Sequence, residues 1–409
     1  MKRLVLSPHD PAEFLGGTER VVQAMVAARL RRGEEIALFC GTERYEGDGL
    51  TEQRAEPGLS VIRIVRGARE TGEIFLRPRV RRELERVIDA VNPDVVEWHH
   101  GATLSLDLVQ AAAARGAKVI MFLHDLWTSC PRFFRMAPGG LACPTGGDRD
   151  ACVPCVNLDL PWERSRLVGW VQAFAECARE ELRAASLRIA PSQSHARALE
   201  SYFPELALDL KAVPHGLLDT EITVPPPRPE AREAGLLRVA HFGNLVPEKG
   251  LEDLANGLAQ LAQPARVAVD LWGAELAPGF VSKLQAVCPM VRWTWHGPYS
   301  SYRSICADVA QCDIAAFPSR APESYGLVVD EAMAARLPVL ASNRGALPER
   351  IGKAGVVLPA ERASPWREIV QSLLDHPARL AALRAAVQPA ARTIENAIDE
   401  IDEYAAQLG

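Results

Sequence analysis

Apolar runs of strand length alternate with amphipathic stretches of helical length along most of the chain. In the first half, the apolar runs fall at about 2–7, 35–40, 60–65, 94–98, 118–123 and 187–190, and the helical stretches at about 18–32, 78–91, 103–115 and 164–184. Strands that alternate with helices are typical of a parallel sheet with helices on its faces. The first half therefore predicts one α/β domain.

A second series of the same kind has strands at about 236–242, 266–272, 291–296, 313–317 and 338–341. The proline-dense stretch 219–235 separates the two series and is typical of a linker. The predicted organisation is an N-terminal domain over 1–218, the linker, a C-terminal domain over 236–388 and a final helical segment over 389–409. Both domains are predicted to be Rossmann-like, with ligands at the carboxyl ends of their strands.

Composition narrows the class of protein. Of the 409 residues, 48% are hydrophobic, which is enough for two or three buried cores. The 46 basic and 52 acidic residues give a net charge of -6, which argues against a nucleic-acid partner. The sequence contains no apolar run long enough to span a membrane, and its first apolar segment is too short for a signal peptide. With nine cysteines as well, we expect a cytoplasmic protein, either free or peripheral at the inner face of the membrane.

Two glutamates flank a predicted helix start near Gly326. Glu323 precedes this start, and the i, i+3, i+4 spacing places Glu331 on an apolar face of the helix. A buried carboxylate needs a partner, and the backbone amides at about 325–328 offer an anion site. The pattern predicts a site for a diphosphate between two polyols. A simple helix-capping role for Glu323 is the structural alternative.

A loop with glycines follows the first strand of each predicted domain. In the second domain, the loop 242–250 ends in Lys249 and Gly250, and a lysine there can neutralise a phosphate. In the first domain, Gly16 and Gly17 allow the backbone to approach a ligand closely. A solvated lysine and an ordinary turn are the structural alternatives.

A histidine, His124, follows the apolar strand 119–123, at the sheet edge where a ligand is expected. His99, His100 and His215 are weaker candidates. A buried histidine that only hydrogen-bonds to the backbone is the structural alternative.

These motifs together resemble the signature of retaining glycosyltransferase family 4. The resemblance rests on the segments 322–334, 242–250, 15–22 and 124–127, and it covers nearly the whole chain. It implies the GT-B fold, in which two Rossmann-like domains face each other across an interdomain cleft and the last helix crosses back to the first domain. It also implies a nucleoside diphosphate sugar as the donor substrate.

The resemblance implies a role for each matched residue. Glu323 contacts the transferred sugar, Glu331 contacts the nucleotide ribose, and Lys249 binds the diphosphate. His124 helps to set the pose of the sugar. His124, Glu323 and Lys249 are therefore the catalytic candidates. The remaining donor-binding candidates are Gly16, Gly17, Asn244, Ser324, Tyr325, Gly326 and Leu327.

Asn244 departs from the family pattern, which has an arginine at this position. Arginine gives a charged, bidentate contact to phosphate, whereas asparagine offers a neutral amide. We expect either that Lys249 and the helix N-terminus near Gly326 suffice, or that a basic residue such as Arg320 supplies the missing charge.

The implied reaction transfers a sugar from a UDP- or GDP-sugar to a hydroxyl of a glycan, lipid-linked or small-molecule acceptor, in polysaccharide or glycoconjugate biosynthesis. Retention at the anomeric carbon is implied. The Asp-x-Asp metal motif is missing at any plausible strand end, so we expect catalysis without a divalent metal. Two other classes stay open: a non-catalytic sugar-nucleotide-binding or zinc-stabilised interaction protein, and a nucleotide-sugar epimerase of the same fold.

Four cysteines, Cys130, Cys143, Cys152 and Cys155, lie in a Gly/Pro-rich insertion over 126–160. Four thiolates suit tetrahedral zinc, which would close the insertion into a rigid flap. An iron–sulfur cluster and buried thiols without metal are the alternatives. Similar insertions occur in a subset of family 4.

A basic helical face in the first domain is a candidate for contact with anionic lipid or a lipid-linked phosphate. It consists of Arg77, Arg79, Arg81, Arg82 and Arg86. A solvated face with an Arg81–Glu85 pair is the favoured alternative.

Overall fold

The computed structural model describes residues 1–14, 16–45, 51–66, 75–137, 141–143, 150–156, 162–219, 235–388 and 391–408. Most of the predicted linker and parts of the cysteine-rich insertion lie outside these residues. The chain divides into two compact units. The first comprises Met1–Pro138, Cys143–Leu218 and Ile394–Gly409, and the second comprises Gly139–Ala142 and Asp219–Thr393.

The strands and helices alternate in both units. The strands are β1 (Lys2–Ser7), β2 (Glu35–Tyr45), β3 (Thr51–Glu56), β4 (Leu59–Arg66), β5 (Val95–Trp98), β6 (Val119–Phe122), β7 (Met136–Ala137), β8 (Leu141–Ala142), β9 (Leu187–Ala190), β10 (Lys211–Ala212), β11 (Leu237–Phe242), β12 (Val267–Trp272), β13 (Arg292–Trp295), β14 (Ile314–Phe317), β15 (Val339–Ser342) and β16 (Gly355–Leu358). The α-helices are α1 (Gly17–Arg31), α2 (Pro78–Val91), α3 (Leu108–Ala113), α4 (Val153–Val156), α5 (Arg164–Ala184), α6 (Gln193–Tyr202), α7 (Leu251–Leu258), α8 (Phe280–Val287), α9 (Cys306–Val309), α10 (Leu327–Ala334), α11 (Leu347–Ile351), α12 (Ser364–Asp375), α13 (Pro377–Ala386) and α14 (Ile394–Ala406).

The first unit is built on an eight-stranded sheet in the order β10-β9-β6-β5-β1-β2-β4-β3. Its strand pairs are parallel except for β3, which runs antiparallel to β4 at the edge. Every residue of β5 and β6 is buried, as expected for central strands that are covered on both faces. The strand order reverses between β1 and β5. Such a switch point opens a crevice at the carboxyl ends of the strands.

The second unit is built on a six-stranded parallel sheet in the order β13-β12-β11-β14-β15-β16. Its strand order reverses between β11 and β14, which are parallel neighbours. The switch point of this sheet therefore lies where the loops after β11 and β14 leave it. The prediction of two Rossmann-like parallel-sheet domains is confirmed.

The last helix, α14, belongs to the first unit. It buries Ile394, Ala397, Ile398 and Ile401. Asp402 on this helix accepts hydrogen bonds from Arg3 at 2.8 Å and from Arg29 at 3.2 Å. Both arginines are buried and also bind Glu97, at 2.9 and 2.8 Å. An apolar stripe and a buried ionic network therefore hold α14 to the first unit.

Two predictions from the pattern needed correction. The helix expected over 103–115 is regular only over α3, because Ser105 Oγ donates to Asp107 and accepts from Arg77 N, which favours a turn before the helix. The strands β3, β7, β8, β10 and β16 were not predicted, because β3 is mostly polar in sequence, TEQRAE, and the others have only two to four residues. Within the described residues, no helix combines the length and apolarity needed to cross a bilayer.

Candidate active site

A charged cluster lies at the switch point of the second unit. Lys249, on the loop after β11, donates a hydrogen bond of 2.6 Å from Nζ to Oε1 of Glu323, on the loop after β14. Ser319 Oγ donates to the same oxygen at 2.8 Å. Two sequence motifs that are far apart along the chain thus meet at the strand ends.

Glu323 is ionised in this cluster. Burial raises the pKa of its carboxyl group, but the charge of Lys249 and the hydrogen bonds from Lys249 and Ser319 outweigh this effect and hold the pKa below its ordinary value. The side chains of Lys249 and Glu323 are 34% and 19% exposed, so a ligand can reach both charges.

The backbone of Glu323 is fixed by the neighbouring loop after β15. Ala346 N donates to the Glu323 carbonyl oxygen at 2.7 Å. A Cβ on Gly345, which has a φ of +57°, would lie 2.1 Å from that same oxygen. Glycine is therefore required here to let the two loops approach each other.

Helix α10 begins after Gly326, its N-cap residue, and buries Glu331, as the spacing predicts. The Tyr325 hydroxyl donates to Asp330, which also accepts from Arg350. The Arg350 guanidinium lies 4.4 Å from the centre of the Tyr325 ring. Because the Tyr325 side chain packs inward, its backbone is the part that is left to meet a ligand at the helix start.

The structure favours the first of the two alternatives for the charge that Asn244 lacks, in which Lys249 and the helix N-terminus suffice without Arg320. Asn244 is exposed. Arg320 donates to Asp253 at 2.6 and 3.0 Å, and its Nη1 lies 3.3 Å from Glu252. Two carboxylates thus already balance the charge of Arg320. Lys249 is the predicted phosphate-binding cation that lies at the switch point.

In the first unit, Gly16 is the N-cap of α1 and Gly17 its first residue. A Cβ on Gly16 would lie 2.3 Å from Oε2 of Glu19, whereas among the described residues no atom lies within 4 Å of a Cβ on Gly17. Glu19 is buried, and its Oε1 lies 2.7 Å from His9 Nδ1. The Glu19 side chain therefore supports the loop from one side, and Gly17 leaves the other side open to a ligand.

Five histidines gather at the carboxyl ends of neighbouring strands in the first unit. They are His99 and His100 after β5, His124 after β6, His195 after β9 and His215 after β10. His99 Nδ1 lies 2.9 Å from His124 Nε2, and the rings of His124 and His215 are 5.6 Å apart. Because parallel strands end at one edge of the sheet, a histidine that follows each of them joins this cluster.

His124 is neutral at neutral pH. Burial lowers the pKa of His124 well below its ordinary value, and the neighbouring histidines, His99 first, lower it further.

Burial would raise the pKa of Glu97, but Arg29 and Arg3 help to hold it at about 2. Glu97 Oε2 lies 3.9 Å from His99 Nε2, which favours a proton on that nitrogen. His99 Nδ1 then accepts from His124 Nε2, and the lone pair of the neutral His124 ring is on Nδ1.

The described residues of the cysteine-rich insertion do not show the predicted zinc site. Burial is the main reason why the pKa of the Cys130 thiol is raised to about 11, and Cys152 and Cys143 contribute in the same direction. Nevertheless, in the part of the chain that the structure describes, no three potential ligands are arranged to hold a metal ion. Residues 144–149, between Cys143 and Cys152, lie outside that part. Zinc on Cys130, Cys143, Cys152 and Cys155 therefore stays a prediction.

Three of the five arginines in the basic face of α2 are paired with protein groups, and Arg79 and Arg82 are exposed. Arg81 contacts Glu85 at 3.2 Å, as predicted, and Asp107 at 3.0 Å. Arg86 contacts Glu83 at 2.8 Å, and Arg77 donates to backbone carbonyls. These contacts favour a structural role for the face over an anion-binding one.

The fold and these strand-end loops define a GT-B glycosyltransferase. Residues 16–207 match the family model described as glycosyl transferase 4-like domain, and residues 236–376 match the model described as glycosyl transferases group 1. The chain belongs to this family of group 1, family 4-like glycosyl transferases.

Two relatives and two solved structures illustrate the similarity. The D-inositol 3-phosphate glycosyltransferase of Rhodococcus opacus is 45% identical over 82 residues, which are 19% of this chain and 18% of that protein. The D-inositol 3-phosphate glycosyltransferase of Segniliparus rotundus is 30% identical over 251 residues, which are 57% of this chain and 53% of that protein. The chain thus matches about half of the second relative and less of the first.

Among solved structures, sucrose-phosphate synthase from Thermosynechococcus elongatus has a TM-score of 0.70 and 18% identity, and the match covers 100% of this chain and 98% of that one. Anabaena HepE, solved in complex with UDP and glucose, has a TM-score of 0.66 and 18% identity, and the match covers 99% of each chain. At this identity the likeness establishes the fold.

Two elements of the site were missed by sequence reasoning. Ser319 hydrogen-bonds to Glu323, and its position just after β14 was the available signal. The other is Glu97, whose Oε2 lies 3.9 Å from Nε2 of His99, itself a weaker candidate from the sequence; an acidic residue inside an otherwise apolar strand was the signal for Glu97.

Proposed function

We propose that the protein is a retaining glycosyltransferase that moves a sugar from a UDP- or GDP-sugar to a hydroxyl acceptor. The observation that carries the proposal is the Lys249–Glu323–Ser319 cluster at a sheet switch point in a chain of this family. Anabaena HepE, with UDP and glucose, supports a UDP-sugar as the donor.

In the absence of a donor, Lys249 and Glu323 neutralise each other. Donor binding breaks this ion pair. The diphosphate then binds the Lys249 ammonium, and the hydroxyls of the sugar donate hydrogen bonds to the Glu323 carboxylate. Amides at the start of α10 add to the binding of the diphosphate, and Glu331 accepts from the ribose. On the first unit, Gly16, Gly17 and His124 contact the donor.

During transfer, the bond between the anomeric carbon and the diphosphate oxygen breaks, and its electron pair stays on the diphosphate. Lys249 stabilises this growing charge more in the transition state than in the ground state. The acceptor oxygen bonds to the anomeric carbon on the same face, and its proton passes to a leaving phosphate oxygen. No pair of carboxylates suited to a double displacement is found among the described residues of the candidate site.

The relatives named as D-inositol 3-phosphate glycosyltransferases support a small phosphorylated polyol as one acceptor class. Glycans and lipid-linked acceptors are the other classes. We propose that the enzyme works in the cytoplasm, either free or peripheral at the inner face of the membrane.

The test is incubation with UDP-, GDP- and ADP-sugars, with and without D-inositol 3-phosphate, glucose 6-phosphate and glycan acceptors. We expect nucleoside diphosphate release that depends on an acceptor, and a product whose anomeric configuration by NMR matches the donor. Nucleotide binding without turnover under every condition would indicate a non-catalytic binder. Release at the same rate without any acceptor would indicate an epimerase.

A further inference from the structure

His241 is a buried histidine that the donor-site motifs do not include. It is the next-to-last residue of β11 and is 2% exposed. Its Nδ1 lies 2.8 Å from the carbonyl oxygen of Ala316 on β14. Its Nε2 is buried and has no hydrogen-bond partner among the described residues. A buried polar atom without a partner is unfavourable, and a ligand that satisfies it recovers that cost.

The position of His241 is the switch point itself. β11 and β14 are the two strands between which the order reverses, and the pairing of Ala240 with Ala315 places His241 beside Ala316. The loops that leave these two strands carry Lys249 and Glu323, and both charges act electrostatically on the His241 ring. The buried ring therefore lies at the strand end of the switch point, beneath the loops that carry the proposed donor-binding residues.

The hydrogen bond to Ala316 determines which chemistry Nε2 offers. A carbonyl oxygen only accepts, so Nδ1 must carry the ring proton. Burial, with a smaller contribution from Lys249, lowers the pKa of His241 to about 4 against the hydrogen bond to Ala316, so the ring is neutral at neutral pH. Nε2 then presents a lone pair. It can accept from a hydroxyl, whereas a phosphate oxygen, which is itself an acceptor, gains nothing there.

We propose that His241 is a specificity-determining residue, whose Nε2 accepts a hydrogen bond from a hydroxyl of the sugar in the nucleotide-sugar donor. The inference rests on the proposed function and goes beyond it by assigning recognition of the sugar to a residue on the β11 strand. Glu323 on the β14 side of the switch point and His241 on the β11 side then accept hydrogen bonds from sugar hydroxyls. Lys249 binds the diphosphate.

The experiment compares two variants by calorimetric titration with UDP, UDP-glucose, GDP and GDP-mannose. His241→Asn keeps an amide N–H where Nδ1 lies and removes the Nε2 acceptor, whereas His241→Gln can place an amide oxygen near the Nε2 position. For the nucleotide-sugar that the wild type binds, we expect about a tenfold loss of affinity in His241→Asn and a smaller loss in His241→Gln. The affinity for the free nucleotide should change by less than about twofold.

Each other outcome overturns the inference in an identifiable way. An equal loss for nucleotide and nucleotide-sugar would show that His241 supports the fold or the position of Lys249 instead. Unchanged affinity for the nucleotide-sugar in His241→Asn would show that no sugar hydroxyl binds Nε2. A wild-type protein that binds no nucleotide at all would overturn the proposed function, and the inference with it.

Discussion

The Lys249 ammonium and the Glu323 carboxylate form an ion pair of 2.6 Å between the loops that follow β11 and β14. Both side chains are partly exposed, so the pair contributes little to stability, about 0–1 kcal/mol. A donor can therefore separate the two charges at low cost. The pair keeps both functional groups ordered at the switch point until a diphosphate and a sugar replace the internal contact.

Removal of the Lys249 charge should mainly impair the chemical step. We expect Lys249→Ala to lower the turnover rate at saturating donor by about 10²–10³-fold, because the charge that grows on the diphosphate loses its counterion. The measurement is the rate of nucleoside diphosphate release. Lys283→Ala is the matched control, since Lys283 is 64% exposed on α8 and pairs with Glu252. Equal rates in the two variants would contradict a role for Lys249 in transfer.

Arg320 should behave as a structural residue although its sequence neighbourhood is that of the donor motif. Its guanidinium pairs with Asp253 and Glu252, and its side chain is 19% exposed. We expect Arg320→Ala to lower the free energy of unfolding by about 1–3 kcal/mol, because Asp253 loses its partner. Nucleotide affinity should stay within about twofold of wild type. Denaturant unfolding and nucleotide titration check the two parts, and a tenfold loss of affinity with unchanged stability would reverse the assignment.

The sequence predicts the two parallel sheets well because their central strands are mostly apolar, although β5 contains Glu97 and β11 contains His241. β5 and β6, for example, are buried at every residue. The polar edge strand β3 carries no such signal, since one of its sides pairs only with β4 and its side chains need not be apolar. Pattern alone therefore identified the two sheets and missed edge strands of both, β3 and β10 in the first and β16 in the second.

The candidate site was predictable where a motif is local and unpredictable where partners come from distant segments. Glu323 and Lys249 each stand in a recognisable loop, but their direct contact depends on β11 and β14 being neighbours. The neutralisation of the Arg320 charge by Asp253 depends on the directions of the two side chains, which the spacing of residues along the sequence does not reveal. The lone pair on His241 Nε2, which has no partner among the described residues, likewise follows from the hydrogen bond of Nδ1 to Ala316 and has no sequence signature.

The ionic network under α14 should be needed for the stability of the first unit. Asp402 forms ion pairs with the buried Arg3 and Arg29. Asp399 on the same helix is 59% exposed, and among the ion pairs of the described residues it contacts only Arg32. We expect Asp402→Ala to cost about 1–3 kcal/mol in the free energy of unfolding and Asp399→Ala at most about 0.5 kcal/mol. Denaturant unfolding of both variants is the measurement. A similar cost for the two would mean that the apolar face of α14 alone holds the helix.

Stability should fall in mild acid because buried histidines must stay neutral in the folded state. Burial lowers the pKa of His195 to about 4, whereas its value in the unfolded chain is about 6.5. Between these values the unfolded state binds a proton that the folded state does not, so stability is full above about pH 6.5 and is lost as the pH falls towards about 4. From pH 7.5 to 5.0 this group alone should cost about 2 kcal/mol. Denaturant unfolding of wild type and His195→Gln at both pH values isolates the contribution of His195 to the free energy of unfolding, because only the wild type has this histidine. An identical loss in the two proteins would show that His195 does not contribute to the acid sensitivity.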